Sequence, residues 1–226
     1  MLSVIVPTLN EEKLIARCLK SIKRQDVDKE IIVVDSSSKD RTVVIAKKYA
    51  DKVIVTKKTG VGKARNMGAE KAKGDIFLFI DADIKINKGV LKRVLKEFED
   101  PELVGLCGEA YSTGKLRYKI IYRLVYLITK FFLIFKIPLF PSMFVAYRRD
   151  VFKKVRGFKN WTSAEDYDIS FRMRKLGKFK TISGGIYTPP RRLERHLWKY
   201  VFLHFKNGLF YLLFRKEGTR DYPALR

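Results

Sequence analysis

The sequence predicts an α/β fold in which a mostly parallel sheet is flanked by helices. Short apolar runs alternate with amphipathic helical patterns along the first 114 residues, which is typical of parallel strands joined by helices. Two of these runs end at carboxylates, Asp35 and Asp81. Because open α/β sheets bind ligands at the carboxyl ends of their strands, we expect a ligand site at that edge.

The strand that ends at Asp81 is the clearest of these runs. Ile76–Ile80 is continuously apolar and rich in β-branched and aromatic residues, which predicts a strand buried on both faces. Asp81 and Asp83 follow it, and two carboxylates at this spacing can bind one Mg²⁺ or Mn²⁺ ion. Two solvated aspartates in a turn are the alternative, and this stretch alone does not decide between them.

The other elements are assigned from apolar periodicity and from residues that begin helices. Asn10 is expected to cap the first helix, with Glu11 and Glu12 in its first turn. Further helices are predicted to begin near residues 42, 60, 88 and 165. The remaining predicted strands are 2–6, 30–35, 53–55, 103–111 and 142–147.

Gly60 and Gly62 form a loose G-x-G pattern before one of these helices. A dinucleotide-binding fingerprint should follow the first strand, so the position argues against that interpretation. Backbone N–H groups at a helix start can still bind an anion, and Lys63 and Arg65 add positive charge beside them. An ordinary helix start with exposed basic residues is the alternative.

The charge of the chain is strongly positive and unevenly distributed. The net charge is +24, with 22 basic and 17 acidic residues in 1–114 but 26 basic and 7 acidic residues in 115–226. This excess in one half favours an anionic partner surface, either nucleic acid or a membrane leaflet. Heat adaptation explains a high lysine content, but it does not explain the concentration of one sign in one half.

Two apolar segments in the basic half are interrupted by charged residues. Segments 116–135 and 197–214 lack the ~20 consecutive apolar residues that a membrane-spanning helix needs. Their aromatic and basic content is typical of amphipathic helices that lie in a membrane interface. Helices packed on their own sheet, or a homodimer interface, are the alternatives.

The cysteines and the N-terminus give weaker indications. Cys18 and Cys107 are expected to serve packing in a reducing compartment, since two cysteines provide no disulfide framework. We expect no signal peptide, because the apolar run 2–9 is short and contains Pro7.

Four motifs come in the order and spacing of a known family. They are VIVPTLNEE at 4–12, VVDSSSKD at 33–40, GKARNMG at 62–68 and DAD at 81–83. In these motifs the chain resembles family 2 glycosyltransferases of the GT-A fold, and it is similar to membrane-associated members such as dolichol-phosphate-mannose synthases and cellulose synthases. The resemblance implies a nucleoside-diphosphate sugar as donor and Mg²⁺ or Mn²⁺ as cofactor.

The resemblance also implies roles for individual residues. Asp81 and Asp83 would hold the metal ion on the diphosphate. Some members of the family have a glutamine ligand two residues after this pair, where the chain has Lys85, so we expect a phosphate, a carboxylate or water in its place. The residues implied in nucleotide-sugar binding are Pro7, Thr8, Asn10, Glu11, Asp35, Lys63, Arg65, Asn66, Asp81 and Ala82.

In the family, an acidic pair at a helix start after a Gly-Phe segment carries the catalytic base. Glu165 and Asp166 fit this pattern, and we expect Asp166 to be the base. Inverting transfer is a direct displacement, in which a carboxylate accepts the proton of the attacking hydroxyl. Helix capping is the alternative role for the acidic residues. A phosphate acceptor needs no base, so the pair favours a hydroxyl acceptor without excluding a phosphate.

Arginines near the C-terminus are candidates for binding the diphosphate or an acceptor phosphate. Arg192, Arg195 and His196 loosely resemble a Q-x-x-R-W motif of processive members, but Gln and Trp are both replaced and we do not infer processivity. Arg191 is the third candidate arginine. Exposed arginines near a membrane are the alternative.

The resemblance implies a metal-dependent inverting glycosyltransferase, and the charge and apolar segments favour peripheral binding to the cytoplasmic face of a membrane. The donor would be GDP-mannose or a UDP-sugar, and the acceptor a lipid or lipid-linked saccharide. We expect a donor-binding half at 1–114, an acceptor half at 142–190, and membrane-interface segments at 115–141 and 191–226. A sugar-nucleotide-forming nucleotidyltransferase lacks its phosphate loop here, and a nucleic-acid-binding protein leaves the strand-end carboxylates unexplained, so we expect no nucleic acid partner.

Overall fold

The computed structural model describes residues 1–217, apart from the side chains of Tyr200 and His204. The predicted C-terminal segment 191–226 therefore continues outside the described residues. Within this range the strands are β1 (Leu2–Thr8), β2 (Lys29–Asp35), β3 (Lys52–Val55), β4 (Ile76–Ile80), β5 (Lys85–Ile86), β6 (Leu103–Gly108), β7 (Tyr111–Ser112), β8 (Phe144–Arg148), β9 (Lys178–Ile182) and β10 (Ile186–Thr188). The helices are α1 (Ile15–Lys23), α2 (Thr42–Ala46), α3 (Val61–Lys71), α4 (Val90–Glu97), α5 (Leu116–Ile134), α6 (Arg149–Lys154), α7 (Glu165–Met173) and α8 (Arg191–Phe214).

A seven-stranded sheet forms the centre of the fold, in the order β3-β2-β1-β4-β8-β6-β9. Strand β1 is parallel to β2 and β4, β3 is parallel to β2, and β9 is parallel to β6. Only β8 runs against its neighbours, β4 and β6, among the described strands of this sheet. The prediction of a mostly parallel α/β sheet flanked by helices is therefore confirmed.

Strand β4 is buried on both faces, as its composition predicted. Side chains alternate across a strand, so Leu78 packs in one hydrophobic cluster with α1 and α4, while Phe77 and Phe79 pack in a second cluster with α3, α6 and α7. Each fully buried phenylalanine stabilises the fold by about 2 kcal/mol. Cys18 and Cys107 are free and buried, which agrees with a role in packing.

A second, smaller sheet contains three short strands in the order β5-β10-β7. The predicted strand 103–111 is wrong in its extent, because β6 ends at Gly108 and the chain then enters β7 of the small sheet. The Glu109 N–H donates to the Ile182 carbonyl (2.8 Å) at this transition. Apolar periodicity could not reveal the break, since residues 103–110 are buried throughout.

The first helix begins later than predicted, and Asn10 does not cap it. Helix α1 starts at Ile15, and Asn10 has a left-handed backbone conformation with φ of 52°. Its side-chain oxygen accepts a hydrogen bond from the Lys39 N–H (2.9 Å), and its own N–H donates to Ser38 Oγ (2.8 Å). Asn10 therefore ties the loop after β1 to the loop after β2 at the carboxyl edge of the sheet.

Helices α5 and α8 leave many large apolar side chains in solvent. Helix α5 buries Tyr118, Tyr126 and Thr129, so packing on the sheet accounts for only part of its apolar character. Among the described helices, none is both long enough and apolar enough to cross a membrane. The exposed apolar surface, as we call it, consists of Leu116, Ile120, Leu124, Leu127, Ile128, Phe131, Ile134, Phe135, Trp198, Phe202, Phe205, Leu209, Leu213 and Phe214.

Candidate active site

The site is built around Asp81 and Asp83, which follow β4 at the carboxyl edge of the sheet. The chain turns tightly there, since the Ile84 N–H donates to the Asp81 carbonyl (3.1 Å). The Asp81 side chain is 41% exposed and that of Asp83 17% exposed. Burial raises the pKa of Asp83, and the neighbouring Asp81 charge raises it further, whereas Arg191 opposes both effects. The two carboxylates therefore concentrate negative charge at one place.

Arg65 connects Asp81 to the predicted catalytic pair. This almost fully buried residue of α3 donates to Asp81 Oδ1 (3.1 Å) and to Glu165 Oε1 (3.2 Å). It also donates to the Ser142 carbonyl (3.3 Å), just before β8. One guanidinium therefore joins groups that are far apart in the sequence, and it brings the predicted metal ligand and the predicted base pair into one site.

Arg191 makes a similar connection on the other side of the aspartates. It stands at the start of α8 and donates two parallel hydrogen bonds to Glu11 (3.0 Å each). Its Nη2 also donates to Asp83 Oδ2. Glu11 is buried, so the bidentate pair neutralises a carboxylate that has little contact with water. From the sequence, Arg191 was a candidate for binding the diphosphate or an acceptor phosphate, and in the structure it contacts two carboxylates, Glu11 and Asp83.

The acidic pair stands at the start of α7, after Ala164 in a left-handed conformation. Asp166 accepts hydrogen bonds from the Ser142 N–H (3.2 Å) and hydroxyl (3.4 Å) and from the Tyr167 N–H (2.9 Å). Burial raises the pKa of Glu165 to about 7, and the Asp166 charge adds to this shift, whereas Arg65 opposes it. Ser142 was missed in the sequence, because a lone serine before a strand has no distinguishing pattern.

The predicted nucleotide-binding residues at the ends of β1 and β2 lie together. Asp35 is fully buried and accepts hydrogen bonds from the Ser38 N–H (2.8 Å) and hydroxyl. The Glu11 N–H donates to Thr42 Oγ1 (2.7 Å), which holds the loop after β1 against α2. The Thr8 hydroxyl is buried and has no hydrogen-bond partner among residues 1–217, so it could bond a ligand at this edge.

The other predicted residues of this group differ in their environments. Pro7 and Ala82 are buried, whereas Lys63 is exposed. The Asn66 amide exchanges two hydrogen bonds with the Phe158 backbone (2.8 and 2.9 Å), so it supports the loop before α7. Gly62 serves the same contact, because a Cβ there would lie 2.8 Å from the Lys159 carbonyl oxygen. Direct contacts of Lys63 and Asn66 with a nucleotide stay predictions.

Three further basic side chains that the sequence singled out lie at the surface. Arg192 and Arg195 are exposed on the first turns of α8. Lys85 is exposed in β5, where it is paired with Tyr187 across the small sheet. Binding of phosphate by Arg192 and Arg195 stays a prediction.

The oxygen ligands at this site suit a hard divalent cation whose remaining coordination positions are filled by a substrate. Within residues 1–217, the side chains of His, Cys, Asp and Glu form no group of three or more that could hold a metal ion alone. Asp81 and Asp83 offer carboxylate oxygens, and each carboxylate is also paired with an arginine, Arg65 or Arg191. Mg²⁺ commonly combines one or two carboxylates with phosphate oxygens and water, so this incomplete set agrees with binding together with a diphosphate.

Comparison with known proteins identifies the family. A family model described as glycosyl transferase family 2 matches residues 3–156, which is more than half of the chain. The chain belongs to glycosyl transferase family 2. The enzyme class predicted from the sequence is thus confirmed, and the rival hypotheses of a nucleotidyltransferase and a nucleic-acid-binding protein are set aside.

Individual glycosyltransferases are similar to this chain in sequence or in structure. TarS of Staphylococcus aureus, a poly(ribitol-phosphate) beta-N-acetylglucosaminyltransferase, is 43% identical over 99 residues, which are 40% of this chain and 17% of TarS. The structure of TarS residues 1–349 with UDP-GlcNAc matches with a TM-score of 0.65 and 27% identity, covering 83% of this chain and 58% of that chain. Mannosyltransferase PcManGT from Pyrobaculum calidifontis, solved with GDP-Man and Mn²⁺, matches with a TM-score of 0.71 and 22% identity, covering 96% and 65%.

These likenesses confirm the GT-A type of fold for the chain. The chain spans about a sixth of the full-length TarS relative and less than two thirds of both solved structures. The sugar, the acceptor and any further partner of this glycosyltransferase are therefore matters of proposal.

Proposed function

We propose that the chain transfers a sugar, with inversion, from a nucleoside-diphosphate sugar to a lipid or lipid-linked saccharide, with Mg²⁺ or Mn²⁺ as cofactor. The observation that carries this proposal is the pair of hydrogen bonds from Arg65 to Asp81 and Glu165. These bonds support the proposal, because they bring the proposed metal ligand and the proposed base pair to one guanidinium. A donor held by the first group would therefore present its anomeric carbon near the second.

Asp166 is the proposed base. Ser142 and the Tyr167 N–H fix both of its carboxylate oxygens, which sets its orientation toward an incoming hydroxyl. Glu165 is tied to Arg65 and so positions the turn instead of taking the proton. When bound, the divalent cation would stabilise negative charge on the departing diphosphate, held there by Asp81 and Asp83.

The donor would lie with its nucleoside at the ends of β1 and β2. Asp35, Asn10 and the unpartnered Thr8 hydroxyl provide polar groups at that edge. TarS, with which this chain shares 27% of aligned residues, was solved with UDP-GlcNAc, and this supports a UDP-sugar. GDP-mannose is the second candidate donor from the sequence analysis.

The acceptor and the location are inferred from the second half of the chain. Its excess of basic residues and its exposed apolar surface fit a helix pair that lies in an anionic membrane interface. We therefore propose peripheral binding at the cytoplasmic face of a membrane, and a relation to the membrane-associated members that resemble dolichol-phosphate-mannose synthases or cellulose synthases. The alternative is a homodimer in which a second copy of the chain covers the exposed apolar surface. If the protein is found to form such a dimer, the dimer takes the place of membrane binding in this proposal.

A panel of nucleotide sugars tests the enzymatic part. We expect one UDP- or GDP-sugar, together with Mn²⁺, to raise the melting temperature of the protein more than either component alone, because only the native site binds both. The same donor should release its nucleoside diphosphate when lipid-linked acceptors are added. A panel in which every combination leaves the melting temperature unchanged contradicts the proposed donor site.

A further inference from the structure

A basic cavity lies between the carboxyl-terminal ends of α5, α7 and α8. It has a volume of about 310 Å³, which is within the range of small-ligand pockets. Phe135 and Phe171 contribute apolar surface to it. Its charged lining consists of Lys136, Arg174, Lys175 and Arg215.

Two of these cations are stacked on one aromatic ring. The guanidinium carbons of Arg174 and Arg215 lie 3.3 and 3.6 Å from the centroid of the Phe171 ring. The aromatic faces attract both cations and hold them at a fixed separation, although like charges repel. Burial lowers the pKa of Arg174, and the neighbouring Arg215 charge lowers it further.

The cavity is positively charged without compensation from its own walls. None of the described residues that line it carries a carboxylate. Within residues 1–217, no salt bridge joins Lys136, Arg174, Lys175 or Arg215 to an acidic side chain. A cluster of this kind, in which guanidinium groups are preorganised, suits a phosphate group, because guanidinium matches phosphate geometry and charge.

The surroundings of the cavity indicate the source of the phosphate. Ile134 (77% exposed) and Phe135 stand at its α5 side, and Leu213 and Phe214 precede Arg215 at the end of α8. These residues belong to the exposed apolar surface. Glu165 begins α7, and Phe171, the nearest lining residue on this helix, lies about 9 Å further along its axis. The cavity is therefore distinct from the donor site and lies next to apolar side chains suited to acyl chains.

We propose that this cavity binds the phosphate of an anionic phospholipid headgroup while the neighbouring apolar side chains contact the acyl region. The Arg174–Phe171–Arg215 stack holds the phosphate, and Lys136 and Lys175 add attraction at the rim. Bound in this way, the lipid fixes α5, α7 and α8 at the membrane surface. The inference rests on the membrane part of the proposed function and adds a defined lipid site to it.

Vesicle flotation tests the site with the full chain. The protein is mixed with vesicles of phosphatidylcholine alone or of phosphatidylcholine with phosphatidylglycerol. We expect the unmodified protein to float with the mixed vesicles. The double variant Arg174→Gln, Arg215→Gln should bind them at least about tenfold more weakly, because each basic residue near an anionic leaflet adds to the affinity. The matched control Lys47→Gln, Lys48→Gln removes the same charge from the exposed end of α2 and should bind as the unmodified protein does.

Each outcome separates the site from the broader proposal. If the unmodified protein floats and both double variants bind equally well, the lipid site is wrong and the membrane proposal stands. If the unmodified protein does not float at all, both are wrong. Should the arginine variant unfold, Lys136→Gln with Lys175→Gln replaces it, since both lysines are exposed. Added glycerol phosphate that competes with the vesicles supports a phosphate site, whereas unchanged binding in its presence argues for acyl contacts alone and against the site.

Discussion

Arg191 donates a hydrogen bond to Asp83, and this contact puts a guanidinium on a carboxylate that the family motif assigns to a metal ion. The same arginine is held by both oxygens of Glu11, so its position is fixed from the β1 loop. While this bond persists, the guanidinium partly neutralises the Asp83 carboxylate and weakens its attraction for a divalent cation. The start of α8 is thereby linked to the proposed metal ligands.

Arg191→Ala should strengthen the binding of Mn²⁺ in the absence of nucleotide. Removing a positive charge that shares Asp83 with the ion favours the ion, and we expect about a tenfold lower Kd. Electron paramagnetic resonance of free Mn²⁺ measures this directly. Arg192→Ala removes an exposed neighbour and should leave the Kd unchanged. Weaker Mn²⁺ binding by Arg191→Ala would mean that the arginine shapes the site for the metal instead of competing with it.

Arg65→Gln should destabilise the fold strongly. The substitution leaves Asp81 and the buried Glu165 without their common cation, and breaking a buried ion pair costs about 3 kcal/mol. Urea unfolding measures the free energy of unfolding. Lys63→Gln, at an exposed position two residues earlier in α3, should change it by less than about 0.5 kcal/mol. Equal values for the two variants would show that the Arg65 network contributes no net stability.

Asp83→Asn should abolish most transfer, since an amide does not supply the carboxylate charge that a divalent cation requires. We expect a loss of at least about 100-fold in turnover of the preferred donor. Release of nucleoside diphosphate is the measurement. Asp75→Asn, at an exposed position before the same strand, is the matched control and should retain activity. Full activity of Asp83→Asn would remove Asp83 from the metal site.

Asp166→Asn distinguishes the two classes of acceptor. With a hydroxyl acceptor the loss of the base should lower turnover about 100-fold or more, because proton transfer by a positioned carboxylate contributes that much. With a phosphate acceptor, whose oxygen is already anionic, the loss should be far smaller. Asp150→Asn, exposed on α6, controls for the charge change. Comparison of the two variants on both acceptor classes therefore identifies the acceptor group, and equal activity with hydroxyl acceptors would refute Asp166 as base.

The stability of the protein should fall as pH rises toward and through neutrality. The pKa of Glu165 is raised from 4.5 to about 7 in the folded protein, so the native state binds more protons than the unfolded state between these values. The free energy of unfolding should decrease across this window by on the order of 2 kcal/mol. Glu165→Gln should flatten this component of the pH profile, measured by urea unfolding between about pH 5 and about pH 8. An unchanged slope in the variant would assign the effect to another group.

The sequence was most informative for features that depend on a single strand or helix. Strand β4 follows directly from its apolar composition, and the position of Asp81 and Asp83 follows from where that strand ends. The α/β class follows from the alternation of strands and helices. These features depend on residues close together in the chain, which periodicity describes well.

Contacts between distant segments could not be predicted in the same way. Asn10 looked like a helix cap, yet it bonds to Lys39 because the loops after β1 and β2 meet in space. Arg191 carried only a generic basic character in the sequence, and its bidentate contact with Glu11 spans 180 positions. The antiparallel insertion of β8 between β4 and β6 likewise depends on long-range pairing. Local pattern contains no information about such partners.

The span of the Arg65 contact has a consequence for how the protein matures. Arg65 and Glu165 are separated by 100 positions, and Asp81, only 16 positions after Arg65, contacts the same guanidinium. Long-range contacts form slowly because the intervening chain must first be ordered. During refolding from denaturant, we therefore expect helical circular dichroism to recover before donor binding does. Catalytic competence would then be among the last properties the chain acquires.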